Sequence, residues 1–302
     1  MKLGFLTAAL PGKTLEELVK WGSQKGFSMM EVACWPKEFE KRRYAGTQHI
    51  DVDNLDEEEL MRIKKLFSSH NMQISSLAYY PNLLDSDLEE REQAISHLKK
   101  VIVAARKLGV GMVGTFVGRD KNMNVDDSLQ EYKKVFTDIT KFAEDNNVKL
   151  AIENCPMLYK DRWPGGNNLA YSPEIWEKMF EMIPSDFIGL NLDPSHLVWQ
   201  QIDYVQAVYD FKDKIFHTHA KDTKMLPDKL SRTGIYGFGF YMDKVAGLGD
   251  INWQKYLGAL YEVGYDYVVS IEHEDRAWEK NEQNILDGIY LAKKLLNKYF
   301  LD

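Results

Sequence analysis

Short apolar runs alternate with longer amphipathic runs eight times along these 302 residues. The apolar runs are LGFLTA (3–8), MMEVAC (29–34), ISSLAYY (74–80), MVGTFV (112–117), KLAIEN (149–154), IGLNLD (188–193), IFHTHA (215–220) and YVVSIE (267–272). Each has strand length, and each is followed by at least one stretch with helical character. TLEELVKWGSQKG ends at Gly26, and EEREQAISHLKKVIVAARKLG ends at Gly109. LDEEELMRIKKLFSSHN carries its acids first and its bases last, which suits the helix dipole. The final stretch, NEQNILDGIYLAKKLLNKYF, spaces Ile285, Ile289, Ala292 and Leu296 along one helical face. Regular alternation of strand and helix demands a parallel sheet, and eight such units suit a closed (β/α)8 barrel. An open doubly wound sheet is the competing arrangement. No GxGxxG follows the first run and no linker divides the chain, so one α/β barrel domain is expected over residues 1–302.

Three strand-to-helix connections are long: about 35–54, 154–173 and 223–250. Long irregular loops in compact domains tend to be functional lids. All three follow strands, which places them at the barrel mouth where barrel enzymes work. The third contains five glycines, Gly234, Gly237, Gly239, Gly247 and Gly249, and is expected to be an irregular lid.

The last four runs carry the chemistry. In each, one parity is apolar and the other turns polar toward the C-terminal end. Leu150 and Ile152 oppose Ala151 and Glu153, while Ile188, Leu190 and Leu192 oppose Gly189, Asn191 and Asp193. Phe216, Thr218 and Ala220 oppose His217, His219 and Lys221; Val269 and Ile271 oppose Ser270, Glu272 and Glu274. The apolar parity packs under the helices, so the polar parity points into the barrel. Glu153, Asp193, Glu272 and either His219 or His217 then converge on one axis. Three carboxylates in so enclosed a space repel one another unless a cation sits among them. Three oxygen donors and one imidazole suit Mn²⁺ as the expected ion, with Mg²⁺, Zn²⁺, Co²⁺ or Fe²⁺ as alternatives. The blander reading is that each acid merely caps the helix after it; matching parity in four strands argues for a shared centre.

Composition limits the partners. A net charge of −8 removes the electrostatic drive toward nucleic acid. Two cysteines, Cys34 and Cys155, with no CxxC, suggest a reducing, cytoplasmic setting. No apolar run reaches the ~18 residues of a membrane span. MKLGFLTAAL lacks a credible cleavage region and reads as a first strand.

LAIENCP, LNLDPSH, HTHAKD and VVSIEHED resemble the motif series of the sugar phosphate isomerase/epimerase family. That family lies in the xylose isomerase-like barrel superfamily with ketose 3-epimerases, inosose dehydratases and class II AP endonucleases. The resemblance runs along essentially the whole chain. It implies that Glu153, Asp193, His219 and Glu272 bind one metal, with Glu153 and Glu272 also acting as acid and base. It implies that His196, in the DxxH motif, binds substrate. His217, one step deeper, is expected to orient an acid or a ligand. Lys221 is expected to touch a substrate oxygen or pair with Asp222. Trp163, Tyr80, Tyr79 and Trp35 suit either stacking on a sugar ring or anchoring loops. Some ketose epimerases carry an arginine six residues after the metal histidine. Here that position is Met225, and Arg232 is the expected substitute.

The implied reaction is isomerisation or epimerisation of a keto-sugar or keto-glycoside through a metal-bound enediolate. An inosose-dehydratase-like lyase is the alternative. The AP-endonuclease reading is weaker, because the endonucleases' extra histidines are missing from LAYYPN and DTKMLPDKLSRTG. The partner is a small sugar or sugar derivative; nucleic acid and membrane are not expected, and exposed barrel helices are compatible with a homo-oligomer. Among the other residues, His97 is expected at a helix surface and His70 at a helix end. Cys155 is expected as a small packing thiol, His49 is isolated, and His273 takes the outward parity.

Overall fold

The computed structural model describes residues 1–37, 45–158 and 166–300. Eight parallel strands form one sheet: β1 (Lys2–Phe5), β2 (Met29–Ala33), β3 (Gln73–Ala78), β4 (Met112–Thr115), β5 (Lys149–Glu153), β6 (Ile188–Leu192), β7 (Ile215–Ala220) and, last in the chain, β10 (Val268–Ile271). Every neighbour is parallel, and β10 lies between β7 and β1. The two ends of the sheet meet where Thr7 N–H donates to the Glu31 carbonyl at 3.0 Å and Ala33 N–H donates to Thr7 Oγ1 at 2.9 Å. The (β/α)8 barrel is therefore nearly closed, as the alternation required.

Local chemistry sets the helix boundaries. Thr14 and Glu17 form a reciprocal capping box at α1 (Leu15–Gln24). Asp56, Asp87 and Asn124 cap α2 (Glu57–Ser69), α3 (Leu88–Leu108) and α4 (Val125–Asp145). After α3, Gly109 takes φ +76°, a left-handed turn that needs no Cβ. Helix α5 (Pro173–Met182) follows β5, and α6 (Pro194–Trp199) and α7 (Tyr204–Asp210) follow β6. The barrel is completed outside by α9 (Trp253–Glu262) and α10 (Glu282–Leu296).

Two expectations change. The 223–250 connection is not an irregular lid. It folds as an antiparallel hairpin, β8 (Asp222–Met225) with β9 (Tyr241–Lys244), joined through α8 (Pro227–Thr233). Its base is the buried Asp222 carboxylate, which accepts from Gly247 N–H at 2.8 Å, Ile251 N–H at 3.2 Å and Trp253 Nε1–H at 2.7 Å. Tyr241 also stacks on Trp199 with centroids 4.9 Å apart. The expected Lys221–Asp222 pairing does not form, since those donors satisfy Asp222. His97 is buried instead of superficial. Its Nε2 lies 2.8 Å from the Cys34 carbonyl, and its ring edge packs on Tyr79. A polar side chain enters the core cheaply when a carbonyl waits for it.

Candidate metal centre

Backbone order at the strand ends fixes the acids. Asn154 pairs with the backbone of Asp193 twice: Asp193 N–H donates to Asn154 Oδ1 at 2.7 Å, and Asn154 Nδ2 donates to the Asp193 carbonyl at 2.9 Å. Asn168 donates to the carbonyls of Glu153 (3.1 Å) and Cys155 (2.7 Å) and accepts from Gly118 N–H (3.0 Å). Glu272 N–H continues the β7–β10 ladder onto Ala220. Asp193 caps α6 through Oδ1, at 2.8 Å from Ser195 N–H, and this leaves Oδ2 turned to the barrel axis. Asp193 therefore caps α6 with one oxygen and turns the other toward Glu153, His219 and Glu272.

Four predicted ligand residues come together. One donor atom each from Glu153, Asp193, His219 and Glu272 lies within 4.8 Å of the others. His219 Nδ1 is 3.2 Å from Glu272 Oε2 and 3.8 Å from Glu153 Oε1. His196, on α6, reaches the same centre: Nε2 is 3.3 Å from Asp193 Oδ2 and 3.5 Å from Glu153 Oε1. Asp193 Oδ2, His219 Nδ1 and His196 Nε2 are all buried without a hydrogen-bond partner. One carboxylate oxygen and two imidazole nitrogens left without hydrogen bonds, beside the carboxylates of Glu153 and Glu272, fit a divalent cation.

Lys221 supplies part of the positive charge. Its buried Nζ is 2.7 Å from Glu272 Oε2, 3.1 Å from Asp193 Oδ2 and 3.2 Å from Glu274 Oε2. Burial pushes its pKa down, but the Asp193 and Glu272 carboxylates outweigh that and hold it well above the usual lysine value. Burial likewise pushes the Glu272 carboxyl up; the charges of Lys221 and His219 bring it down to about 2. Glu153 also falls to about 2, burial being outweighed by its contacts with His196 and His219 and by the charge of Lys221.

Above the acids opens a cavity. Trp35, Phe116 and Met157 form part of its apolar wall, while Glu153, Lys221 and Glu272 form its polar floor. Tyr80 lines it by its ring, but its hydroxyl points away and donates to Glu31 Oε1 at 2.5 Å. Arg232 sits exposed on α8 and does not line the cavity. Trp163 lies outside the described residues. Cys155 packs its Sγ 3.5 Å from Met157 Sδ, and it offers a ligand atom within 4.8 Å of those of Glu153 and His196.

Glu31 escaped the sequence reading. It is a fully buried acid on β2, inside the barrel, among His217, His219, Ser270 and Tyr80. The signal was present, since a glutamate within MMEVAC is a charge in an otherwise apolar buried strand.

An acid-and-imidazole cluster at the C-terminal mouth defines the class: a (β/α)8 barrel with donors placed to hold a divalent cation. A family model described as xylose isomerase-like TIM barrel matches residues 19–295, and the chain belongs to that family. Among curated relatives, it is 22% identical to an inosose dehydratase of Clostridium tetani, covering 84% of this chain and 86% of the relative. Among solved structures, it resembles the IolI protein with a bound zinc atom: TM-score 0.75, 20% identity, and full coverage of both chains. It also resembles D-psicose 3-epimerase crystallised with D-fructose: TM-score 0.71, 15% identity, covering 98% of this chain and 99% of the other. Among the described residues, no helix is long and apolar enough to cross a membrane.

Proposed function

We propose that this protein is a divalent-metal-dependent isomerase or epimerase of a keto-sugar, keto-glycoside or inosose. The observation that carries the reading is the convergence of Glu153, Asp193, His219 and Glu272, whose ligand atoms lie within 4.8 Å of one another. Those four residues would hold the ion, with Mn²⁺ our first choice. Once bound, it polarises a substrate carbonyl and acidifies the adjacent C–H.

The chain's own residues do the rest. One of the paired glutamates, Glu153 or Glu272, removes the proton, and the other returns one to the opposite face or the neighbouring atom. Carboxyls held near 2 are ionised at neutral pH, so either is ready to accept. His196, on α6, and Lys221, just after β7, reach the same centre and suit contact with substrate oxygens. The apolar wall of Trp35 and Phe116 suits one face of a sugar or cyclitol ring, with the acids toward its hydroxyls. The loops near 35–54 and 154–173 and the hairpin within 223–250 would enclose that ligand over a single barrel domain. Tyr80 contributes its ring to the wall.

The test is a screen of keto-sugars, keto-glycosides and inososes with Mn²⁺, read by NMR as exchange of a carbon-bound proton with solvent. Glu272→Gln is expected to abolish turnover nearly completely while substrate still binds. Turnover at the wild-type rate in that variant overturns the assignment. The relative named as an inosose dehydratase favours a second reading, β-elimination of water from the same enediolate. A dehydrated product in the same spectra would select it.

A further inference from the structure

We propose that Glu31 is a positioning residue that selects the nitrogen with which His219 meets the metal. The inference rests on the reading that Glu153, Asp193, His219 and Glu272 hold a divalent ion.

His219 has one ring nitrogen on each side of a buried boundary. Nδ1 faces Glu153 and Glu272 and has no hydrogen-bond partner. Nε2 faces downward, 2.9 Å from Glu31 Oε2. Glu31 enters this contact as a carboxylate. Its two oxygens both accept from hydroxyls, Oε2 from Ser270 and Oε1 from Tyr80. A carboxylate only accepts, so Nε2 carries the hydrogen and donates. A neutral imidazole with its hydrogen on Nε2 has its lone pair on Nδ1, which is the atom aimed at the acids.

The surroundings hold Glu31 in that pose. Ser270 Oγ donates to the same Oε2 at 3.0 Å, and Tyr80 donates to Oε1. Asn191 Nδ2 then donates to the Tyr80 hydroxyl at 2.9 Å. Ser270 on β10 and Tyr80, just past the end of β3, hold the carboxylate directly, and Asn191 on β6 holds Tyr80. Glu31, His217 and His219 also lie close enough to form a metal group of their own. That group is already spent. Both Glu31 oxygens accept, His217 Nδ1 lies 2.9 Å from Asn191 Oδ1, and its Nε2 lies 3.3 Å from Ser75 Oγ.

One contact offers the opposite outcome. Asn191 Nδ2 is also 2.9 Å from His219 Nε2. Were Asn191 the effective partner, Nε2 would accept, the hydrogen would sit on Nδ1, and the imidazole would be turned wrongly for the ion.

The experiment measures Mn²⁺ affinity of the full chain by electron paramagnetic resonance, for the wild type, Glu31→Gln, Ser270→Ala and Asn191→Ala. The hydrogen on His219 is located by nitrogen NMR in the Zn²⁺-loaded form, and urea unfolding without metal reports folding separately. The expected result is Nε2–H in the loaded wild type and about 10- to 100-fold weaker Mn²⁺ binding in Glu31→Gln. Ser270→Ala, which removes one bond to the same oxygen, should shift affinity in the same direction by less. It carries the test should Glu31→Gln fail to fold. Wild-type affinity in the folded Glu31 variant, or in Ser270→Ala when it stands in, overturns the proposal. So does a hydrogen found on Nδ1, or loss of affinity in Asn191→Ala with none in Glu31→Gln. A wild-type chain that takes up no Mn²⁺ or Zn²⁺ overturns the metal reading itself, and this inference with it.

Discussion

A carboxylate sealed inside a barrel persists only where every lone pair has a partner, and room for those partners must be built in. Gly114 builds it for Glu31. A Cβ at position 114 would collide with the Tyr80 hydroxyl and lie 3.1 Å from Glu31 Oε1. Gly114→Ala is therefore expected to cost about 1–3 kcal/mol, by overpacking, read as a lower urea midpoint. It should also loosen the Tyr80–Glu31 pair. An unchanged midpoint would show that the cluster yields without strain. At this scale, the predicted ligands were legible because strand alternation assigns each side chain a face. Glu153, Asp193, His219 and Glu272 all sit at the inward parity near strand ends. Glu31 was not legible as their neighbour, because β2 and β7 are distant in sequence and their separation across the barrel interior is a matter of closure. His97 misled for a related reason: a lone polar residue on a helix face does not announce the carbonyl that receives it.

Among the elements, the β8–β9 hairpin departs furthest from expectation. Glycines and a proline in 223–250 read as an irregular lid, yet two four-residue strands pair there. What fixes the segment is Asp222, one side chain at its start accepting from backbone groups more than twenty residues later. A spacing that long carries no local pattern. Asp222→Ala would leave Gly247 N–H, Ile251 N–H and Trp253 Nε1–H without their acceptor. The expected cost is about 2–4 kcal/mol in urea unfolding, with faster proteolysis inside 223–250. Asp222→Asn, which keeps one accepting oxygen, should cost less. Equal proteolysis in wild type and Asp222→Ala would remove this clamp from the account.

For the molecule as a whole, a cation among buried acids couples ligand binding to folding. An ion that binds the folded chain alone adds about 2.7 kcal/mol of stability at one hundred times its dissociation constant. Mn²⁺ is therefore expected to raise the melting temperature, and a chelator to lower it again. The rise should be much smaller in Asp193→Asn, provided that variant keeps the cap on α6. A melting temperature indifferent to Mn²⁺, Mg²⁺ and Zn²⁺ would count against the metal reading.

The barrel and the inward-facing acids are legible in the chain's residue order because both follow from short-range periodicity: two residues per strand repeat, and a helix after every strand. That order also carried the family motifs, which are contiguous runs at strand ends. Tertiary structure alone decided that Lys221 lies among four acids, that Arg232 stays outside the cavity, that Asp222 ties down the hairpin, and that His219 rests on Glu31. Each of these depends on which residues meet across a closed barrel, and that is set by packing between segments far apart in the chain.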